Sequence, residues 1–242
     1  MTTIPEAVPS RGQDRERQVR RLFSEIAPRY DLLNHVLSMN IDRRWRRRAI
    51  ARLGWEEHPE GLYLDACAGT LDLSLELAGQ PRFRGRVIGS DFAWPMLVQG
   101  LPKVVGKPIA PVCGDALRLP FGPRTFRGAT VGFGVRNLAD LDGGLAEFHR
   151  VLEAGARLVV LEFTTPPNPI LRQLYHFYFH QVLPRVGRWV SGHPWAYTYL
   201  PESVKEFPGP DELADRMRGV GFRSAEWSLL SGGIAALHVA VK

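Results

Sequence analysis

Cysteine is scarce in this 242-residue chain, where Cys67 and Cys113 are the whole supply. Two thiols cannot build a disulfide framework, so a cross-linked secreted scaffold is excluded and a reducing, cytoplasmic setting is expected. Each sits near an expected strand end, which favours buried structural thiols. No run of roughly 18 apolar residues occurs, so no membrane span is expected. The stretch from Met1 to Gln18 carries Pro5 and Pro9 and lacks the apolar core of a secretory leader. The G-x-G-x-x-G turn is missing as well, which weakens a dinucleotide reading.

Acidic excess is also absent. The formal net charge is +6, and six of the eleven residues at 42–52 are arginine. Such a run can meet nucleic acid, anionic lipid head groups or solvent. No aromatic-basic recognition element accompanies it, so nucleic acid ranks last. The plain reading is a solvated helix face with Trp45 and Ile50 turned inward. A hydrophobic content of 45% is enough for one core with an appendage.

What the chain does have is a rhythm. Three strand-like runs end on an acid: Leu62-Tyr63-Leu64-Asp65, Val87-Ile88-Gly89-Ser90-Asp91 and Pro111-Val112-Cys113-Gly114-Asp115. The spacing leaves room for one helix per step, as βαβ units of a parallel sheet require. Ligands of such sheets bind beyond the carboxyl ends of the strands. Stacked carboxylates there suit a ligand rich in donors, such as a ribose, an amine or an adenine amino group.

Around this ladder the periodicity predicts a disordered tail at 1–14, a helical cap at 15–56 and an α/β domain at 57–242. Asp42 is the expected N-cap of a helix in the cap. Within the domain, strands are expected at 61–66, 86–91 and 109–113, a fourth closing at Val131 to Phe133, and a fifth at 157–163. A helix at 142–153 should end at Gly155. Residues 166–205 break the rhythm: the part up to 200 is proline-rich and holds eight of the chain's 24 aromatics, as a lid or insertion would. A helix near 210–220 follows. Phe222–Leu230 and Ile234–Val241 then read as a hairpin through Ser231-Gly232-Gly233. A doubly wound sheet closed by an antiparallel pair is the methyltransferase variant of the fold.

The turn Asp65-Ala66-Cys67-Ala68-Gly69-Thr70 brings backbone N–H groups at a helix start close to a ligand. Asp91 stands where an acid accepts from both ribose hydroxyls, and Asp115-Ala116 would flank an adenine ring. Structural readings compete: Asp72 as a helix cap, Asp115 as a turn cap.

With their flanks, these residues resemble the ubiquinone/menaquinone C-methyltransferase family over roughly residues 19–242. The N-terminal signature is Phe23-Ser24-Glu25-Ile26-Ala27-Pro28-Arg29-Tyr30-Asp31-Leu32-Leu33-Asn34, then Leu37-Ser38 and Arg44-Trp45-Arg46. Further matches are Leu119-Pro120-Phe121, Gly132-Phe133-Gly134-Val135-Arg136-Asn137-Leu138, Leu158-Val159-Val160-Leu161-Glu162-Phe163, Val182 to Gly187, and Ala235-Ala236-Leu237-His238. The resemblance implies the seven-stranded class I fold and S-adenosylmethionine as methyl donor. It also implies cofactor contacts at Thr70, Asp91, Asp115 and Ala116, with Asp65 and Gly69 shaping the turn. Two positions depart from the family pattern. Leu71 stands where a glycine is usual, and Gly132 where a serine is usual.

The implied reaction is C-methylation of a polyprenylated quinol, demethylmenaquinol to menaquinol, with no metal required. Tyr30 is a candidate to orient the ring or relay its proton, and Arg136 to stabilise the quinolate. Competing readings are a packed helix aromatic and a structural salt bridge. His176 and His180 have metal spacing but lack a third ligand, and His193 is an alternative base. Phe121 and Phe133 are expected in the core. The aromatic stretch from Tyr175 to Phe179, with Trp189, Trp195, Tyr197 and Tyr199, could wall the acceptor and meet a bilayer interface at the inner face of the membrane. A homo-oligomer is left open. Two other functions compete: methylation of another lipophilic aromatic or small molecule, and, because of Leu71, a catalytically weak scaffold of a quinone-synthesis complex.

Overall fold

The computed structural model describes residues 13–30, 38, 40–178, 181 and 196–242. Residues 1–12 of the expected tail, the signature residues 31–37, and His180, Trp189, His193 and Trp195 lie outside the described residues, while residues 13 and 14 of that tail are already helical. Helices α1 (Gln13–Ile26) and α2 (Ile41–Arg52) precede strand β1 (Leu62–Ala66). Then follow α3 (Asp72–Ala78), β2 (Arg86–Asp91), α4 (Trp94–Val104), β3 (Ile109–Cys113) and β4 (Phe126–Gly132). The rest is α5 (Leu141–Val151), β5 (Leu152–Phe163), α6 (Pro169–Phe177), α7 (Ala196–Glu206), α8 (Pro210–Gly219), β6 (Ser224–Leu230) and β7 (Ala235–Val241).

The seven strands form one sheet in the order β3-β2-β1-β4-β5-β7-β6. Pairing is parallel from β3 to β5, while β7 runs antiparallel to both β5 and β6. Strand order reverses at β1, so the crevice for a ligand opens where β1 and β4 part. The apolar run Leu158–Leu161 lies buried between β4 and β7, as a strand covered on both faces must. One face of the sheet is closed by a cluster that includes Leu145, Phe148, Leu213 and Met217; the other is closed by Trp45, Ile50, Leu73 and Leu77.

Three boundaries differ from expectation. Asp42 is the second residue of α2 rather than its N-cap. Asn40, at φ 59°, takes the cap position with no side-chain bond. The Asp42 carboxylate instead accepts from Ser38 Oγ at 2.6 Å and pairs with Arg46 at 2.6 Å. α5 stops at Val151, and Leu152 already pairs with Phe126. The register shift that follows is absorbed at Gly155, whose φ of +81° only glycine adopts cheaply. Cys113 is exposed, not buried.

The arginine-rich helix does turn Trp45 and Ile50 inward. It also buries Arg46, which reaches Asp72 on α3 at 3.0 Å, while Lys103 on α4 meets the same carboxylate at 2.8 Å. One acid thus ties three helices together.

Leu71 occupies the left-handed region at φ 71° and is fully buried. For a leucine this conformation costs of order 1 kcal/mol or more. Its neighbours accommodate it. A Cβ built on Gly89 would lie 2.2 Å from Leu71 Cδ2, and one on Gly100 2.8 Å from Cδ1. The side chain fills a slot that two glycines leave open, with Leu97 and Val104 beside it. We therefore expect Gly89→Ala to lower stability by about 2 kcal/mol through overpacking. Adding Leu71→Gly should relieve most of that loss. Urea melts of the two single variants and the double variant measure the coupling; strict additivity would refute it.

Candidate functional site

Beyond the carboxyl ends of β1, β2 and β4 lies a cleft of about 690 Å³, including its solvent-open mouth. Among the sequence candidates, Tyr30, Gly69, Asp91, Asp115 and Ala116 line it. Asp65, Thr70 and Arg136 stand behind that lining. The turn after β1 makes this division. Its backbone enters the left-handed region at Cys67 (φ 52°), Gly69 (φ 54°) and Leu71, and Phe133 does so at the end of β4 (φ 58°). Strained residues of this kind persist where the surroundings fix them, often beside a ligand.

Asp91 is 7% exposed. Its Oδ2 accepts from the backbone N–H of Gly69 and its Oδ1 from that of Ala93, both at 2.8 Å. Burial pushes its carboxyl up to about 6, the two N–H bonds only partly offsetting this. Each oxygen keeps a lone pair for a ligand donor. Asp115 caps its own turn, accepting from Leu117 N–H at 2.9 Å, and still faces the cleft. Ala116 is buried beside it.

Asp65 is spent on structure. It accepts from the Ser74 N–H (2.9 Å), Ser74 Oγ (2.7 Å) and Thr130 Oγ1 (3.2 Å), which pins the start of α3 to the sheet. Burial pushes its carboxyl to about 6 as well. Thr70 is 2% exposed. Its carbonyl oxygen would lie 2.9 Å from a Cβ built on Gly100 of α4.

Arg136 belongs to a buried ion pair: its Nη1 lies 2.6 Å from Glu162 Oε1, with side chains 7% and 1% exposed. The same nitrogen donates to the Phe133 carbonyl at 2.7 Å, and Nε to Ser203 Oγ of α7 at 3.3 Å. Burial works against its charge, yet Glu162 outweighs that and holds the guanidinium above its usual range. Beside it Asn137 lines the cleft and accepts from Tyr199 Oη at 2.8 Å. Through these contacts helix α7 is fastened to the end of β4.

Tyr30 stacks edge-on against Phe23 at 6.0 Å. A Cβ on Gly69 would lie 3.8 Å from Tyr30 Cε1, so the phenol ring covers the glycine turn. Phe133 is both core and wall: it packs 4.6 Å from Phe163 and lines the cleft. Phe121 packs on Phe126 as core. Cys67 also lines the cleft, its thiol pushed well up by burial and then by Asp91, which makes it a poor nucleophile. Leu71 points away from the cleft, which removes the steric reason for a weakened enzyme.

Sequence reasoning missed Ser90. It is 1% exposed, lines the cleft, and its Oγ has no hydrogen-bond partner among the described residues. A serine inside an otherwise apolar strand, next to the key acid, was the available signal. Glu162 was readable in the same way, as a lone acid in an apolar run. With Gly69, Gly114 and Gly134 holding the backbone close and Ser90 lacking a partner, the residues fit a nucleoside bearing hydroxyl and amino groups. Among the described residues no cluster of three His, Cys, Asp or Glu side chains could hold a metal ion.

Comparison with known proteins agrees with this geometry. The model of the ubiE/COQ5 methyltransferase family matches residues 11–242. The demethylmenaquinone methyltransferase of Thermus thermophilus is 48% identical over 221 residues, covering 90% of this chain and 98% of that protein. The ubiquinone/menaquinone biosynthesis C-methyltransferase of a Geobacter species is 43% identical over 233 residues, covering 93% and 96%. Among solved structures, a SAM-dependent methyltransferase from Thermotoga maritima superposes with a TM-score of 0.63 at 18% identity, covering 92% and 98%. The [4+2]-cyclase SpnF superposes at 0.71 and 14%, covering 98% and 99%. At such identities these structures speak for the fold alone.

The raised Asp91 carboxyl sets a pH dependence. Its folded value, about 6, lies above the ordinary 3.8, so the native state binds the extra proton. The contribution is fully present below the ordinary value and is lost as pH rises through 6. Relative to Asp91→Asn, the wild type should therefore gain about 1 kcal/mol of stability between about pH 7 and about pH 5. Paired denaturant titrations read this directly, and a pH-independent difference would contradict it.

Proposed function

The chain belongs to the ubiE/COQ5 methyltransferase family, and on that footing we propose that it methylates a ring carbon of demethylmenaquinol to give menaquinol. The observation that carries this reading is the single cleft in which Gly69, Asp91, Asp115 and Ala116 face Tyr30 and Phe133. Bound S-adenosylmethionine supplies an electrophilic methyl group together with its own leaving group, so no metal is needed.

The chain's residues do the rest by positioning. Asp91 accepts the ribose hydroxyls; Asp115 and Ala116 flank the adenine; the Gly69 turn lets the methionine part approach the backbone. Ser90 completes its missing hydrogen bond on the nucleoside. Tyr30, lying over the Gly69 turn, orients the quinol ring and relays its hydroxyl proton to water; after methyl transfer the proton on the methylated ring carbon passes to that hydroxyl's oxygen and restores the quinol. Arg136, neutralised by Glu162, acts as a positioning residue that keeps Asn137 and α7 in place. Phe23, Phe92, Met96 and Phe133 make the chamber apolar and keep water from the methyl group.

The acceptor's prenyl chain stays in lipid, so the enzyme works at a membrane surface. No helix among the described residues is long and apolar enough to cross a membrane, and the contact is peripheral.

Two measurements test the reading. Incubation with methyl-labelled S-adenosylmethionine and a panel of quinols should label demethylmenaquinol on its ring, with Tyr30→Phe about tenfold slower in kcat. Labelling of an unrelated aromatic instead would move the chain to a different acceptor. Calorimetry with S-adenosylhomocysteine should find Ser90→Ala about tenfold weaker in affinity. The same variant should melt higher without ligand, because a buried unpaired hydroxyl is gone. Unchanged affinity would remove Ser90 from the site.

A further inference from the structure

We infer that the arginine face of α2 and an apolar stripe on α6 form one surface that seats on an anionic lipid bilayer. The inference rests on the membrane-surface reading above and names the surface.

Arg43, Arg44, Arg47 and Arg48 are exposed and recur at helical spacing on one side of α2. None has an acidic partner among the described residues, whereas Arg46, on the inner side, is held by Asp42 and Asp72. Four unpaired guanidinium groups on one face contribute nothing to packing and cost mutual repulsion.

α6 is amphipathic with its apolar side partly outward. Ile170, Leu174 and Phe177, at i, i+4 and i+7, are 71%, 60% and 62% exposed. The inward residue is Tyr175, 7% exposed, whose phenol is pushed up by burial and feels the charges of Arg136 and Glu162. The helix therefore has a buried tyrosine on one side and a greasy ridge on the other.

The two elements meet at one turn. Trp45 Nε1 of α2 donates to Ser231 Oγ at 2.9 Å. A Cβ on Gly232, the next residue, would lie 2.5 Å from Leu171 Cδ2 of α6. The helices that carry the basic face and the ridge thus pack, through Trp45 and Leu171, on the same three-residue turn Ser231–Gly233. An apolar ridge flanked by free arginines matches an interface of acyl chains and anionic head groups. A second copy fits less well, because a two-fold contact would set arginine against arginine. Nucleic acid leaves the ridge without a role.

Co-sedimentation of the full chain with vesicles tests this. Vesicles of phosphatidylcholine with about one third phosphatidylglycerol should bind the protein, with pure phosphatidylcholine about tenfold weaker and high salt reducing the difference. Two variants, Ile170→Glu/Leu174→Glu and Arg44→Gln/Arg47→Gln/Arg48→Gln, should each lower binding about tenfold. Both should methylate a short-chain, water-soluble quinol in vesicle-free buffer at the wild-type rate. That last assay separates two failures: no turnover of the soluble quinol by wild type sinks the quinol reading, not the surface. Wild-type vesicle binding by either variant overturns the surface, as does binding indifferent to lipid charge. So does a dimer, seen by light scattering, that the Glu variant breaks while wild type ignores vesicles.

Discussion

Three carboxylates are buried along one edge of the sheet, and the loops of that edge are arranged to satisfy them. A desolvated carboxylate with no donor costs several kcal/mol, more than most single contacts return. Asp65 is met by Ser74 and Thr130, Asp91 by the Gly69 and Ala93 N–H groups, and Glu162 by Arg136. Each solution fixes the next piece of chain. The Ser74 bonds set where α3 begins, the Gly69 bond closes the turn after β1 onto β2, and the Arg136 pair holds the end of β4 against β5. The cleft is the space these three closures leave.

The same constraint sorts the acids into roles that sequence spacing cannot separate. Asp65, Asp91 and Asp115 look equivalent as strand-terminal acids. In the fold, Asp65 turns toward the helix start that carries its donors, while Asp91 and Asp115 keep a side on the cleft. Arg136 likewise stood between a quinolate partner and a structural salt bridge in its motif, and the fold pairs it with Glu162. Which side of a strand end an acid serves depends on partners 9 and 65 residues away, as Ser74 and Thr130 are from Asp65, and such pairings are not written in local pattern.

The sheet itself was largely legible, because its strands are short apolar runs bounded by glycine and acid, and the closing hairpin carried its own turn signal. The misplacements come from tertiary competition. Asp42 could cap, but the buried pair with Arg46 offers its carboxylate more than an N-cap bond would. Residues 152–156 read as a helix end, but pairing with Phe126 draws them into β5. Leu71 violates a backbone rule that only the distant Gly89 and Gly100 make affordable. Ser90 and the α6 ridge escaped notice because burial and exposure, not residue type, give them meaning.

The shared carboxylate of Asp72 has a bearing on how this protein could be recombined. Arg46 of the N-terminal arm and Lys103 of α4 both close on it, so the arm is keyed to the β1–β3 half of the sheet. Transplanting the arm between homologues would have to carry that lysine–aspartate–arginine hasp intact. A graft lacking Arg46 would take from the buried Asp42 its ion-pair partner at 2.6 Å, and the transplanted helix would lose its register before any chemistry was altered.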